Sequence, residues 1–138
     1  LPYISPIVHI DNVPMLDGGL SDSIPVERAM SQGCEKCIVV LTRNKGYRKK
    51  KSNFPMPNFM YKKYPQLQET LRNRHDLYNQ QLDLVDQLEA DGKILAIRPI
   101  QPIEVDRIEK DAVKLDKLYN EGYECAQKAN ILEFIKAT

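Results

Sequence analysis

The chain has 138 residues, of which 42% are hydrophobic and 28% charged, with a net charge of +1. That balance belongs to a globular domain with one core and excludes a disordered chain, and no apolar run approaches the roughly 18 to 20 residues of a membrane-spanning helix. With so little net charge no global field gathers nucleic acid or anionic lipid, so any electrostatic partner is met through a local patch.

In chain order, "YISPIVHI" and "VPML" read as two short strands around a turn at Asp11 and Asn12, residue types suited to tight hairpins. Pro6 and Pro14 mark these strands as edge-like. Ser23 can cap a short helix over residues 24–32 that admits Pro25 in its first turn and stops at Gly33. "KCIVVLT" is a continuous apolar run of strand length, the pattern of a parallel strand covered on both faces.

Residues 43–60, "RNKGYRKKKSNFPMPNFM", read as an irregular connection. From Pro65, Leu67, Leu71, Tyr78, Leu82 and Val85 fall on one helical stripe, broadened by Leu77, Leu84 and Leu88 and ended by Gly92. "KILAIRP" predicts a second buried strand. Asp106 and Glu109 form a capping-box pattern for a final helix with Ile108, Ala112, Leu115, Tyr119 and Ala126 on one face, extended or docked by "ILEFIKAT". Strands alternating with helices predict an α/β arrangement with helical crossovers.

Three cysteines are an odd set and argue against a disulfide framework. Cys34 and Cys37 have C-x-x-C spacing, yet Cys125 stands apart with no histidine near it, so Cys37 is read as core, Cys34 as incidental and no metal is expected. The first residues lack the features of a secretory leader, which makes a cytoplasmic address the default. The chain opens on Leu1 rather than Met and runs straight into "PYISPIVHI", so an upstream segment of a longer protein is expected.

Chemistry gathers at "PMLDGGLSDSIPVERA", where one carboxylate stands before two glycines. Residues 1–50, from "LPYISPIVHIDNVPMLDGG" to "LTRNKGYRKK", resemble the C-terminal half of bacterial patatin-like phospholipases, which are serine acyl hydrolases. "ILAIRPIQPIEVDRIEKDAVKLDKLYNEGYECA" resembles the C-terminal region of one bacterial branch. In that family a serine in a G-x-S-x-G elbow is the nucleophile, a glycine-rich loop forms the oxyanion hole, and the aspartate of D-G-G completes a dyad without histidine. Carried over, the aspartate is Asp17, followed by Gly18 and Gly19.

The resemblance implies the C-terminal part of a patatin-like α/β fold: a partial layered sheet with flanking helices, lacking the nucleophile-elbow half. Residues 1–50 then belong to the catalytic domain, and residues 51–138 form a family-specific region on the same core. It implies a lipid or other ester substrate, no cofactor and no metal. The chain has no G-x-S-x-G and no glycine-rich loop, its glycines being 18, 19, 33, 46, 92 and 122. Serine and oxyanion donors are therefore expected on the upstream segment, and the isolated chain is expected to be inactive and prone to self-association through exposed edges.

Serine is a poor nucleophile at neutral pH and needs a base within about 2.6 to 3.2 Å. Glycines after the aspartate would let the backbone approach the nucleophile loop. The residues alone leave an ordinary strand-ending turn open, since Asp and Gly dominate turns. His9, eight residues before Asp17, and His75 are the only histidines, and neither accompanies an elbow serine. Asp22 fits helix capping or loop structure.

The run from Arg43 to Lys51 holds five further basic residues after Arg43. It reads as a solvated loop, or as a contact with an anionic membrane surface at about 1 kcal/mol per charge. No second basic face suggests nucleic acid. Phe54, Met56, Phe59 and Met60 are read as packing residues or as a cover for an acyl-chain pocket. The competing class is a noncatalytic interaction module built on the two amphipathic helices.

Overall fold

The computed structural model describes residues 6–51, 61–105 and 108–137. They form two compact units, Leu1–Pro25 with Arg48–Leu84, and Val26–Tyr47 with Val85–Thr138. The protein is mixed α/β, with two small sheets among the described residues. Phe54, Met56, Phe59, Met60 and Asp106 lie outside the described residues.

In the first unit, strands β1 (Val8–Ile10) and β2 (Val13–Met15) pair antiparallel, with His9 opposite Pro14. Asp11 and Asn12 stand at φ 50° and 62°. Two consecutive left-handed residues are what a two-residue hairpin turn needs, and Asp and Asn tolerate that region better than branched side chains. A 3-10 turn, Gly18–Leu20, follows β2. The Pro65–Leu84 part of the long helix α2 (Pro65–Ala90) belongs to this unit, whose buried side chains include Leu20, Ile24, Tyr61 and Leu82.

In the second unit, α1 (Val26–Ser31) packs on β3 (Cys37–Val40), and β3 pairs in parallel with β4 (Ile94–Ile97) in the register Cys37 to Ile94. Both strands are entered the same way. Helix α1 ends with Gly33 at φ 94°, its N–H donating to Met30 O at 3.0 Å and that of Cys34 to Ala29 O at 3.3 Å. Helix α2 ends with Gly92 at φ 70°, its N–H donating to Glu89 O at 3.1 Å and that of Lys93 to Leu88 O at 2.9 Å. These paired bonds satisfy the last helical carbonyls and turn the chain at once into a strand. Val26, Leu41, Val85, Leu88, Ile94 and Ile97 are buried, Val85 completely.

Three expectations are corrected. β3 is parallel as expected but is not covered on both faces: Ile38 is 42% and Val40 72% exposed, because alternate side chains of a strand face opposite ways and only one face is packed. The first helix starts at Val26, and Ser23 does not cap it; the Ser23 hydroxyl donates to Gly19 O at 2.7 Å. Helix α3 (Ala112–Lys128) starts at Asp111, whose carboxylate accepts the N–H groups of Val113 and Lys114.

Ile108 therefore precedes α3, and no α3 residue is buried. Its partly covered stripe runs through Leu118, Cys125 and Ala126, while Val113, Leu115, Tyr119 and Tyr123 are exposed, the two tyrosine rings stacked with centroids 6.5 Å apart. The tail forms α4 (Ile131–Lys136), where Lys36 Nζ donates to Phe134 O at 2.9 Å and lies 5.2 Å from the Phe134 ring centre.

Candidate active site

Asp17 caps the 3-10 turn. Its Oδ1 accepts the Gly19 N–H at 2.9 Å, and its carbonyl accepts the Leu20 N–H at 3.1 Å. The side chain is exposed, while Leu20 three residues on is buried and anchors the turn. Neither Gly18 nor Gly19 has a positive φ. A Cβ on Gly19 would lie 3.2 Å from Asp17 Oδ1, so glycine there protects the cap. Among the described residues a Cβ on Gly18 would meet nothing within 4 Å, so neither the backbone nor the packing of those residues requires glycine at that position.

Helix α2 holds this segment from one side. Arg74 Nε donates to Gly19 O at 3.0 Å. One helical face further on, the Gln81 side chain receives the Ile24 N–H at 3.1 Å and donates to Asp22 Oδ1 at 2.6 Å. Arg74 and Gln81 are seven residues apart, two helical turns, so both reach the same flank. Asp22 is thus loop structure, one of the roles its position suggested.

Leu20, Asp17 and Gly18 line an open cavity of about 270 Å³ together with Ile7, Pro14, Leu16, Ser21 and, from the start of α2, Tyr64, Leu67 and Thr70. Among the described residues its lining is mainly apolar, with the Asp17 carboxylate as its charged group.

Other candidates lie elsewhere. His9 is exposed on β1, opposite Pro14 rather than Asp17. His75 lies on α2, Nδ1 3.1 Å from Arg72 O and Nε2 3.2 Å from the Asp76 carboxylate. Cys34 is exposed and Cys37 half-buried, both as free thiols; burial, then the neighbouring Cys34, pushes the Cys37 thiol up from its ordinary value. No metal-holding cluster occurs among the described residues.

The basic run is largely tied down. In the second unit Lys45 Nζ pairs with Glu89 at 3.1 Å and the Arg43 guanidinium lies 5.0 Å from the Tyr47 ring centre. In the first, Arg48 pairs with Asp83, and the Lys49 backbone exchanges two hydrogen bonds with the Asn79 side chain at 2.8 and 3.1 Å. Lys50 and Lys51 are exposed. No described helix is long and apolar enough to cross a membrane.

The family model for a domain of unknown function, DUF6363, matches residues 64–135, just over half of the chain. The chain belongs to the DUF6363 family. No curated protein and no solved structure matches it. The DUF6363 segment begins at Tyr64, so it contains Arg74 and Gln81, while the D-G-G turn they hold lies before it.

Sequence reasoning missed Arg74 and Gln81. The available signal was a pair of polar positions continuing the seven-residue series from Leu67 to Leu88 within an otherwise apolar band. Removing the guanidinium should loosen the turn. Arg74→Gln is expected to cost about 1 to 2 kcal/mol, a lost charge-assisted bond to a part-buried carbonyl. Hydrogen exchange at the Leu20 and Asp22 amides should accelerate at least tenfold; unchanged protection there would mean that Arg74 does not hold the turn.

Proposed function

We propose that this DUF6363 chain is the C-terminal segment of a patatin-like lipid acyl hydrolase, with the fold of that family completed by a segment outside these residues. Asp17 is the base of a serine–aspartate dyad. The observation that carries this reading is the D-G-G turn itself. An exposed carboxylate is fixed at the wall of an apolar cavity, followed by a glycine that nothing among the described residues demands. A glycine facing open space suits the close approach of a second backbone, as a nucleophile loop would need.

In the reaction, Asp17 accepts the serine proton as the serine oxygen bonds to the ester carbonyl carbon. The proton passes to the departing alkoxide, leaving an acyl-enzyme and a free alcohol. Water then repeats the sequence, releasing the acid and restoring the serine. Backbone amides outside this chain stabilise the oxyanion. A loose membrane contact would rest on Lys50 and Lys51, worth roughly 2 kcal/mol together, since Lys45 and Arg48 already face carboxylates.

The second reading is a noncatalytic interaction module. The exposed Val113, Leu115, Tyr119 and Tyr123 on α3 favour it, because an uncovered apolar helix face is a site for another surface, including a second copy of the chain. Fluorophosphonate labelling separates the two. The longer polypeptide should be labelled at one serine and these 138 residues alone should not; an unlabelled longer polypeptide would leave only the module.

A further inference from the structure

We propose that the first turns of α2 form a length-setting wall for a neutral, medium-length acyl chain seated beside Asp17, a role for the DUF6363 segment in substrate selection that rests on the hydrolase reading. The cavity stands on one unit only, its walls coming from Pro14 and Leu16 at the end of β2, Leu20 of the 3-10 turn and Leu67 of α2. Leu20 is buried and Leu16 and Leu67 are half-buried, so the surface offered is aliphatic and held by packed elements.

Size and charge narrow the occupant. A dry cavity of about 150 Å³ holds a benzene-sized molecule, and this one, at about 270 Å³, has room for an aliphatic chain somewhat larger than that. The mainly apolar lining disfavours an anionic head, which would give up its water there without a matching partner. An uncharged ester fits, and the acid released from it is disfavoured, which helps product leave. Leu67 sits on a continuous helix of 26 residues, so the wall it makes does not yield as a loop would. Substituting it changes depth rather than shape.

The test titrates 1-octanol and sodium octanoate into the 138-residue chain by calorimetry at neutral pH. Octanol should bind at least tenfold more tightly than octanoate. Leu67→Trp fills the cavity and should weaken octanol binding at least tenfold. Leu67→Ala deepens it and should move the preference toward decanol, which keeps the proposal testable if the tryptophan variant folds poorly. Equal binding of alcohol and acid, or alcohol binding indifferent to both substitutions, would overturn the proposal. In the longer polypeptide, Leu67→Trp should lower the ratio of kcat/KM for p-nitrophenyl octanoate to that for the acetate at least tenfold; an unchanged ratio would overturn the length-setting role. Loss of the hydrolase reading alone would appear as wild-type turnover indifferent to Asp17, with alcohol binding still sensitive to Leu67.

Discussion

Asp17→Asn, in the polypeptide that carries the nucleophile, is expected to lower kcat for ester hydrolysis by about 10² to 10⁴, the usual contribution of a positioned base. Stability should barely change, because the substitution separates two roles of one side chain. Asp17 accepts the Gly19 N–H through Oδ1, and an asparagine side-chain oxygen caps about as well as a carboxylate. The melting temperature should therefore stay within about 2 °C. Asp17→Ala removes base and cap together and should add a stability loss of about 1 kcal/mol. Comparing the two variants by turnover and thermal melting isolates the proton-transfer role. Turnover unchanged in the asparagine variant would sink the dyad and favour the interaction module.

Arg98→Met should produce the largest loss of stability, about 2 to 3 kcal/mol, between the worth of an exposed pair and that of a fully buried one. The Arg98 side chain is only 9% exposed and bonds to Asp86 at 3.0 Å and to Glu89, one helical turn on along α2. Methionine fits the aliphatic path but leaves two half-buried carboxylates side by side, with Lys45 as the remaining cation on Glu89. Burial pushes the Glu89 carboxyl up, but the hydrogen bonds and charges of Arg98 and Lys45 outweigh it and hold the group below its ordinary 4.5.

The sign of the pH effect follows. The folded protein binds the Glu89 proton less tightly than the unfolded chain, so this stabilisation is fully present above pH 4.5 and is lost as pH falls through the lower folded value. Denaturant melts of wild type and variant should differ most near neutrality and converge as the solution is acidified below the ordinary carboxylate range. A constant gap across that range would show that Arg98 acts through packing alone.

Much of the secondary structure was legible. Pro65 at the first position of α2 and Gly92 past its end are local signals, and the observed helix runs Pro65–Ala90. "CIVV" and "ILAI" declared themselves as strands by apolar continuity, although continuity overstated how much of β3 is covered. The start of α3 was misread because three acids precede it. A capping box needs the glutamate to reach back to the cap, whereas Glu109 bonds forward to the Lys110 and Asp111 amides at 2.9 and 3.0 Å and leaves the cap to Asp111. At the site, the D-G-G turn could be read from three adjacent residues. Its grip by α2 could not, since the partners of Gly19 and Asp22 lie 55 and 59 positions away, and no local pattern encodes a pairing at that separation.

The boundary of the DUF6363 segment at Tyr64 divides a hand from what it grasps: Arg74 lies inside and the Gly19 carbonyl outside. Any chain sharing this helix but lacking such a turn would strand a guanidinium against nothing. Whether an arginine at that place travels with an upstream aspartate–glycine pair is thus a test that other members of the family can supply, one chain at a time.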